Sequence, residues 1–259
     1  MIDSIPPVLA CDVGNSRLHL AVICGETVHR VRTADIHAPE TFAAALTETA
    51  GDVEDRKTIV ACSVNPDALK ALELVVRDTL GEDLLVVGRD LPLPIDTNLP
   101  EPQSVGTDRL CAAVAAFDRL GTGCVVADFG SAVTVDCVSD DGVFLGGAIL
   151  PGLAMSARAL AAETAQLPLV ELTAPEGIFG KNTRQAILTG LIGGMCGAVR
   201  GLVESYASQL GHWPLAIATG GDAELLYSQA HFGELVQAVV PDLTLRGVAM
   251  AYYRSLLKS

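Results

Sequence analysis

The sequence predicts an α/β fold built from two similar halves, and three observations carry that reading. Short apolar runs alternate with stretches of helical spacing, a strand–turn–strand unit bearing an acid and a glycine occurs twice, and half of the residues are apolar. A chain of 259 residues with that apolar content supports one large domain or two smaller ones, each with a core. Aromatic residues make up only 4%, so Val, Leu, Ile and Ala must fill the interior.

The elements follow in order. Val8 to Cys11 is a short apolar run, Gly14-Asn15 is a turn, and Leu18 to Ile23 is apolar again, the pattern of two antiparallel strands. Thr58 to Cys62 and Leu84 to Val87 read as buried strands, with a helix over Asp67 to Leu80 marked by Leu69, Leu72, Leu74 and Val75. Leu91 to Gln103 holds four prolines and reads as a loop. A helix over Asp108 to Leu120 places Leu110, Ala113, Val114 and Phe117 on one face. The opening pattern then returns, with an apolar run from Cys124 to Ala127, a turn at Gly130-Ser131 and a strand over Val133 to Val138. Asp12-Val13-Gly14 and Asp128-Phe129-Gly130 lie 116 residues apart. One repeat of about half the chain implies two α/β halves, here 1–118 and 119–259, rather than a solenoid. Val143 to Leu145, helices near Leu153–Thr164 and Arg184–Leu210, a strand at Leu215 to Ala218 and a helix over Gly247 to Leu257 complete the second half.

Composition excludes several functions. The formal net charge of −14 disfavours nucleic acid as a partner, because an acidic surface repels phosphate backbones. The first residues carry neither a basic segment nor a long apolar one, so no secretory leader is expected and the cytoplasm is the predicted compartment. Ala186 to Val203 is apolar but interrupted by glycines and Arg200, and reads as a tightly packed helix rather than a membrane span. The seven cysteines include no C-x-x-C pair, which points to buried free thiols and away from a disulfide framework or a zinc site. His19, His29, His37, His212 and His231 form no metal-type spaced pair.

Phosphate chemistry is where the residues converge. A glycine turn directs successive backbone N–H groups into one concavity, and two such turns can hold a polyphosphate between them. An acid beside each turn, Asp12 and Asp128, can hold a cation there. The same residues also form ordinary hairpin turns. Neither a P-loop nor a dinucleotide-binding glycine signature is present. Gly106-Thr107-Asp108-Arg109 opens a helix, where an Asp serves either as a helix-end partner or as the carboxylate that takes a hydroxyl proton. Arg109 can grip a substrate carboxylate through paired hydrogen bonds. Thr183 reads as an N-cap or a ligand hydroxyl, and Thr219-Gly220-Gly221-Asp222 as a strand-to-helix turn or an adenosine contact.

Seven segments taken together resemble the type III pantothenate kinase family: residues 12–16, 106–109, 128–136, 146–152, 180–183, 219–221 and 242–247. The resemblance implies two ribonuclease H-like lobes of the acetate kinase/heat-shock protein 70/actin type with a cleft between them. It implies transfer of phosphate from ATP to pantothenate, the first step towards coenzyme A, by a cytoplasmic homodimer with pantothenate near the subunit interface. Asp12, Val13, Gly14, Asn15, Ser16, Arg17, Leu18 and His19 would form the first phosphate loop, and Ser131 would contact ATP. Asp108 matches the proton acceptor, while Gly106, Thr107, Arg109 and Thr183 match pantothenate-contacting positions. Asp128 matches the position that holds a monovalent cation, K+ or NH4+, and Mg2+ would accompany ATP. Ser16 and Ser131 stand where the family usually has Thr. Members often carry a Tyr shortly before the Gly106 segment, whereas this loop reads Thr97-Asn98-Leu99-Pro100. A kinase of the same fold for another small substrate, and a non-catalytic nucleotide-binding regulator, are the alternatives.

Overall fold

The computed structural model describes residues 6–51, 58–229 and 232–258; the opening residues 1–5 and His231 lie outside the described residues. In chain order, β1 (Val8–Val13), β2 (Arg17–Cys24) and β3 (Thr27–Asp35) precede α1 (Phe42–Ala50), β4 (Thr58–Ser63), α2 (Pro66–Leu80) and β5 (Leu84–Val86). A short β6 (Asp96–Thr97) and α3 (Thr107–Leu120) follow, then β7 (Cys124–Phe129), β8 (Ala132–Val138) and β9 (Val143–Pro151). The chain continues with α4 (Leu153–Glu163), α5 (Thr183–Leu210), β10 (Leu215–Thr219), α6 (Ala223–Tyr227), β11 (Ala238–Val239) and α7 (Leu243–Lys258).

The chain divides into two compact units, Met1–Arg119 with Asp242–Ser259, and Leu120–Pro241. In the first unit the sheet order is β3-β2-β1-β4-β5. Its β1, β2 and β3 run antiparallel in turn, while β4 is parallel to β1 and β5 parallel to β4. The second unit's own strands repeat that plan as β9-β8-β7-β10-β11, again with three antiparallel strands and two parallel additions. The α/β fold of two similar halves is therefore present strand for strand.

Alternation along β1 splits the first core in two. Leu9, Cys11 and Val13 pack with Phe42 and Leu46 of α1 and with Leu72 and Val76 of α2. Val8 and Ala10 face the other way, onto Cys111 of α3 and onto Leu245, Val248 and Ala249 of α7. Leu74, placed in the helical pattern of α2 by its spacing, is 60% exposed; Val76 fills the core instead. The division at 118 also needs correction at the far end, because α7 belongs to the first unit. Its apolar face completes the core under β1, and Gly247 makes that approach possible, since an added Cβ would fall on the Cys111 carbonyl.

Side-chain caps fix helix starts. Asn65 accepts from the Ala68 N–H at 3.1 Å ahead of Pro66, and Gly81 ends α2 in the left-handed region. Helix α5 has the length and apolar composition of a membrane span, but Ile192, Met195, Val199 and Val203 pack in the second unit's core with Val125, Ala127 and Phe129. The glycines expected to pack tightly face the opposite way. Added Cβ atoms at Gly190, Gly193, Gly194, Gly197 and Gly201 meet nothing within 4 Å. The buried stripe of α5 is the aliphatic one.

Candidate functional site

In the first unit, strand register lines up a polar row. Asp12 is paired with His19 on β2 and with Cys62 on β4, and His19 is paired with Thr33 on β3. Asp12 is half-buried at the C-terminal end of β1, the strand end at which ligands of open α/β sheets bind. The Cys62 thiol donates to Asp12 Oδ1 at 3.4 Å, and Thr33 Oγ1 lies 3.1 Å from His19 Nδ1. Burial, then the Arg17 charge, lowers the His19 pKa from its ordinary value, which favours the neutral imidazole.

The adjoining turn is closed by the Gly14 N–H donating to the Arg17 carbonyl at 3.0 Å, and is tied down by the Ile36 N–H donating to the Ser16 carbonyl at 3.1 Å. Asn15, Ser16 and Arg17 are exposed. The side chains of Val13 and Leu18 are fully buried, so these two expected site residues present only backbone.

The start of α3 is joined to the end of β4. The Ser63 N–H donates to Thr107 Oγ1 at 3.1 Å, and Thr107 Oγ1 donates to the Ser63 carbonyl at 3.2 Å. Asp108 follows, half-buried, with its Oδ1 accepting the Arg109 N–H at 2.8 Å. Burial raises its carboxyl above the ordinary 3.8, against the lowering effect of that N–H and of the Arg109 charge. Gly106 has no Cβ for a local reason: one would fall on Asp108 Oδ1 and come within 3.0 Å of Val64 Cγ1. One turn beyond Asp108, Cys111 hydrogen-bonds Cys62, and the charges of Asp12 and Asp108 both bear on the Cys62 thiol. The two acids therefore flank one buried thiol pair, which no sequence spacing announces.

The second unit repeats the row. Asp128, at the end of β7, is paired with Thr134 on β8 and with Thr219 on β10. Its turn, Gly130–Ala132, is one residue shorter than the first, and the Gly130 N–H donates to the Ala132 carbonyl at 3.2 Å. Gly220, at φ +94°, lays its backbone against the Asp128 carboxylate and Phe129, and the Asp222 N–H donates to the Phe129 carbonyl at 3.1 Å. Gly152 packs on the carbonyls of Gly130 and Ser131. The glycines at 152 and 220 thus build the walls of the turn by permitting backbone contact. Ser131 is exposed at its tip.

Thr183 is the first residue of α5 and exposed, but it is not the cap. Asn182 caps α5, its side chain accepting the Gln185 N–H at 2.9 Å. An Asn in extended backbone one residue ahead of the helix reaches that N–H, which leaves the Thr183 hydroxyl clear of the capping bond.

Duplicated sheets of this order, each with an acid and a glycine turn at the end of its first strand, define the acetate kinase/heat-shock protein 70/actin class of two-lobed folds. Among solved structures, a putative Baf family transcriptional activator from Campylobacter jejuni aligns with a TM-score of 0.63 at 21% identity, covering 96% of this chain and 100% of that one. A glucokinase from an Antarctic psychrotroph aligns with a TM-score of 0.51 at 12% identity, covering 97% of this chain and 100% of its own. The family model for type III pantothenate kinase matches residues 8–205. The type III pantothenate kinases of Moorella thermoacetica and Syntrophotalea carbinolica are 32% and 35% identical to this chain, each over 96% of it and 99% of their own length. The chain belongs to the type III pantothenate kinase family.

Proposed function

We propose that this kinase uses Asp108 as the base that takes the hydroxyl proton of pantothenate while the γ-phosphoryl group of ATP is transferred to that oxygen. The products are 4'-phosphopantothenate and ADP. The observation that carries the assignment is the setting of Asp108: a half-buried carboxylate at a helix start, fixed by the Arg109 N–H at 2.8 Å. Burial raises its pKa, which makes it a stronger base than an ordinary carboxylate. Arg109, beside it, takes the substrate carboxylate as a planar fork. Gly106 and Thr107 shape the same substrate segment, and Thr183 would offer its hydroxyl to pantothenate.

Residues Asp12–His19 hold ATP phosphates through the turn amides, and Ser131 adds a hydroxyl contact. Among the described residues no three His, Cys, Asp or Glu side chains gather into a metal cage. Mg2+ would be held by the substrate phosphates plus one carboxylate, here Asp12, and would neutralise developing phosphate charge. Asp128 would hold K+ or NH4+ and so offset its own repulsion of ATP.

We assign the chain to a homodimer in the cytoplasm. The glycine face of α5 and the exposed Ile178 and Phe179 (84% and 82%) supply an apolar surface for a second copy, and all seven cysteines are free thiols, as a reducing compartment requires. Asp108→Asn tests the central assignment. Turnover should fall roughly 10²–10⁴-fold, the usual contribution of a positioned acid or base, with ATP binding by calorimetry retained. Near wild-type kcat would reduce Asp108 to a helix-end residue.

A further inference from the structure

Between the acid of the first turn and the acid at the head of α3 lies a pair of thiols that the reaction does not use. Cys62 and Cys111 are both fully buried. They come from β4 and α3, and α7 closes over Cys111 through Gly247. Cys62 stands directly beside Asp12 in the β1–β4 register and donates to its Oδ1 at 3.4 Å. A thiol has one proton to donate, and Cys62 gives it to Asp12. Cys111 packs with it in the same core cluster.

We propose that Cys62, backed by Cys111, is a positioning residue that fixes the Asp12 carboxylate toward the ATP side of the first turn. The inference rests on the reading of Asp12 as an ATP-site residue. Three physical points support it. A donor on a rigid neighbouring strand narrows the orientations open to a carboxylate at a strand end. Cys62 is fully buried in the core on β4, which holds its donor in place beside Asp12. In the second unit a buried Thr219, whose side chain carries a hydroxyl, occupies the same register position beside Asp128, on the parallel strand next to the acid-bearing one.

The test uses the full-length enzyme with ATP, Mg2+, K+ and pantothenate, and measures KM for each substrate with kcat, alongside thermal melting. Hydrogen bonds to charged groups lie in the range that gives about a tenfold change in a binding constant. Cys62→Ala should raise KM for ATP by about that factor and move KM for pantothenate less than twofold. Cys62→Ser, which keeps a donor, should return KM for ATP to within about threefold of wild type. In an Asp12→Ala background, Cys62→Ala should have no further effect on KM for ATP, as a residue acting through Asp12 requires. If Cys62→Ala does not fold, Cys111→Ala loosens the packing behind Cys62 instead and should raise KM for ATP in the same direction. A rise in KM for ATP with Asp12→Ala but none with either cysteine variant overturns the proposal alone. No rise with Asp12→Ala overturns the reading of Asp12 itself. Equal losses in Cys62→Ala and Cys62→Ser, with a lowered melting temperature, reduce the pair to core packing.

Discussion

Replacing Gly106 by Ala adds one carbon, and the structure says where it goes. The new Cβ would fall on Asp108 Oδ1, with Val64 Cγ1 at 3.0 Å closing the other side. Val64 directly follows β4 and is tied to β1 by its N–H donating to the Val13 carbonyl at 3.1 Å, so the carboxylate is the part that turns. Turning it breaks the 2.8 Å bond from the Arg109 N–H and re-aims the oxygen that would take the substrate proton. A displacement of ~1 Å at a reacting group costs on the order of 10²-fold in rate, so kcat should fall by about that factor. Stability should change far less. A hydrogen bond to a charged group is worth about 1.5–3 kcal/mol, and Gly→Ala recovers about 0.4–1 kcal/mol from the unfolded chain where the backbone conformation is allowed. The net loss is about 0.5–2.6 kcal/mol, a fall of a few degrees in melting temperature at this chain length. Initial-rate measurement of ADP release, paired with a thermal melt, reads both quantities. A Gly106→Ala enzyme with kcat within twofold of wild type would refute the argument, as would one that loses activity only by failing to fold.

Three further outcomes follow from the site. Burial raises the Asp108 pKa above 3.8, and a base works only when ionised; the acid limb of kcat/KM should therefore fall at higher pH than for an ordinary carboxylate and vanish in Asp108→Asn, as a pH–rate profile would show. Arg109→Lys should raise KM for pantothenate and leave KM for ATP nearly unchanged, with pantothenol, which lacks the carboxylate, losing less from the change than pantothenate does; equal handling of the two compounds by the wild type would remove Arg109 from that role. Asp128→Ala should abolish any rate difference between potassium and sodium buffers and weaken ATP binding, and a wild type with equal rates in both buffers, each with magnesium, would count against a cation at Asp128.

How much of this could be read from sequence depends on whether a feature is local. The β1–β2 and β7–β8 turns are local, and the spacing of Asp12, Gly14, Asp128 and Gly130 sufficed to expose the duplication. Strand β3 escaped notice because it carries Thr27, His29, Arg30, Arg32 and Thr33 and buries little beyond Ala34; its pairing with β2 sustains it in place of apolar periodicity. Helix α1 is made mostly of Ala and Thr and is held by Phe42 and Leu46, too few anchors to mark a period. Asp108 was visible as an acid at a helix start, but only packing shows its burial and its junction with β4. The Cys62–Cys111 pair was wholly hidden, since β4 and α3 meet there through tertiary structure alone.

The return of α7 to the first unit has a consequence for biogenesis. The second unit is an insertion, so its residues are made and can fold while the first unit still lacks its closing helix. Until residues 242–258 leave the ribosome, Val8, Ala10, Ala21, Ile23 and Val60 face water along one side of the sheet, a surface of the kind that chaperones hold and that aggregates form upon. The first unit, begun earliest, is the last to become complete. A stop codon placed just before α7 would therefore damage the half of the protein most distant from it in sequence, the half that carries Asp12 and Asp108.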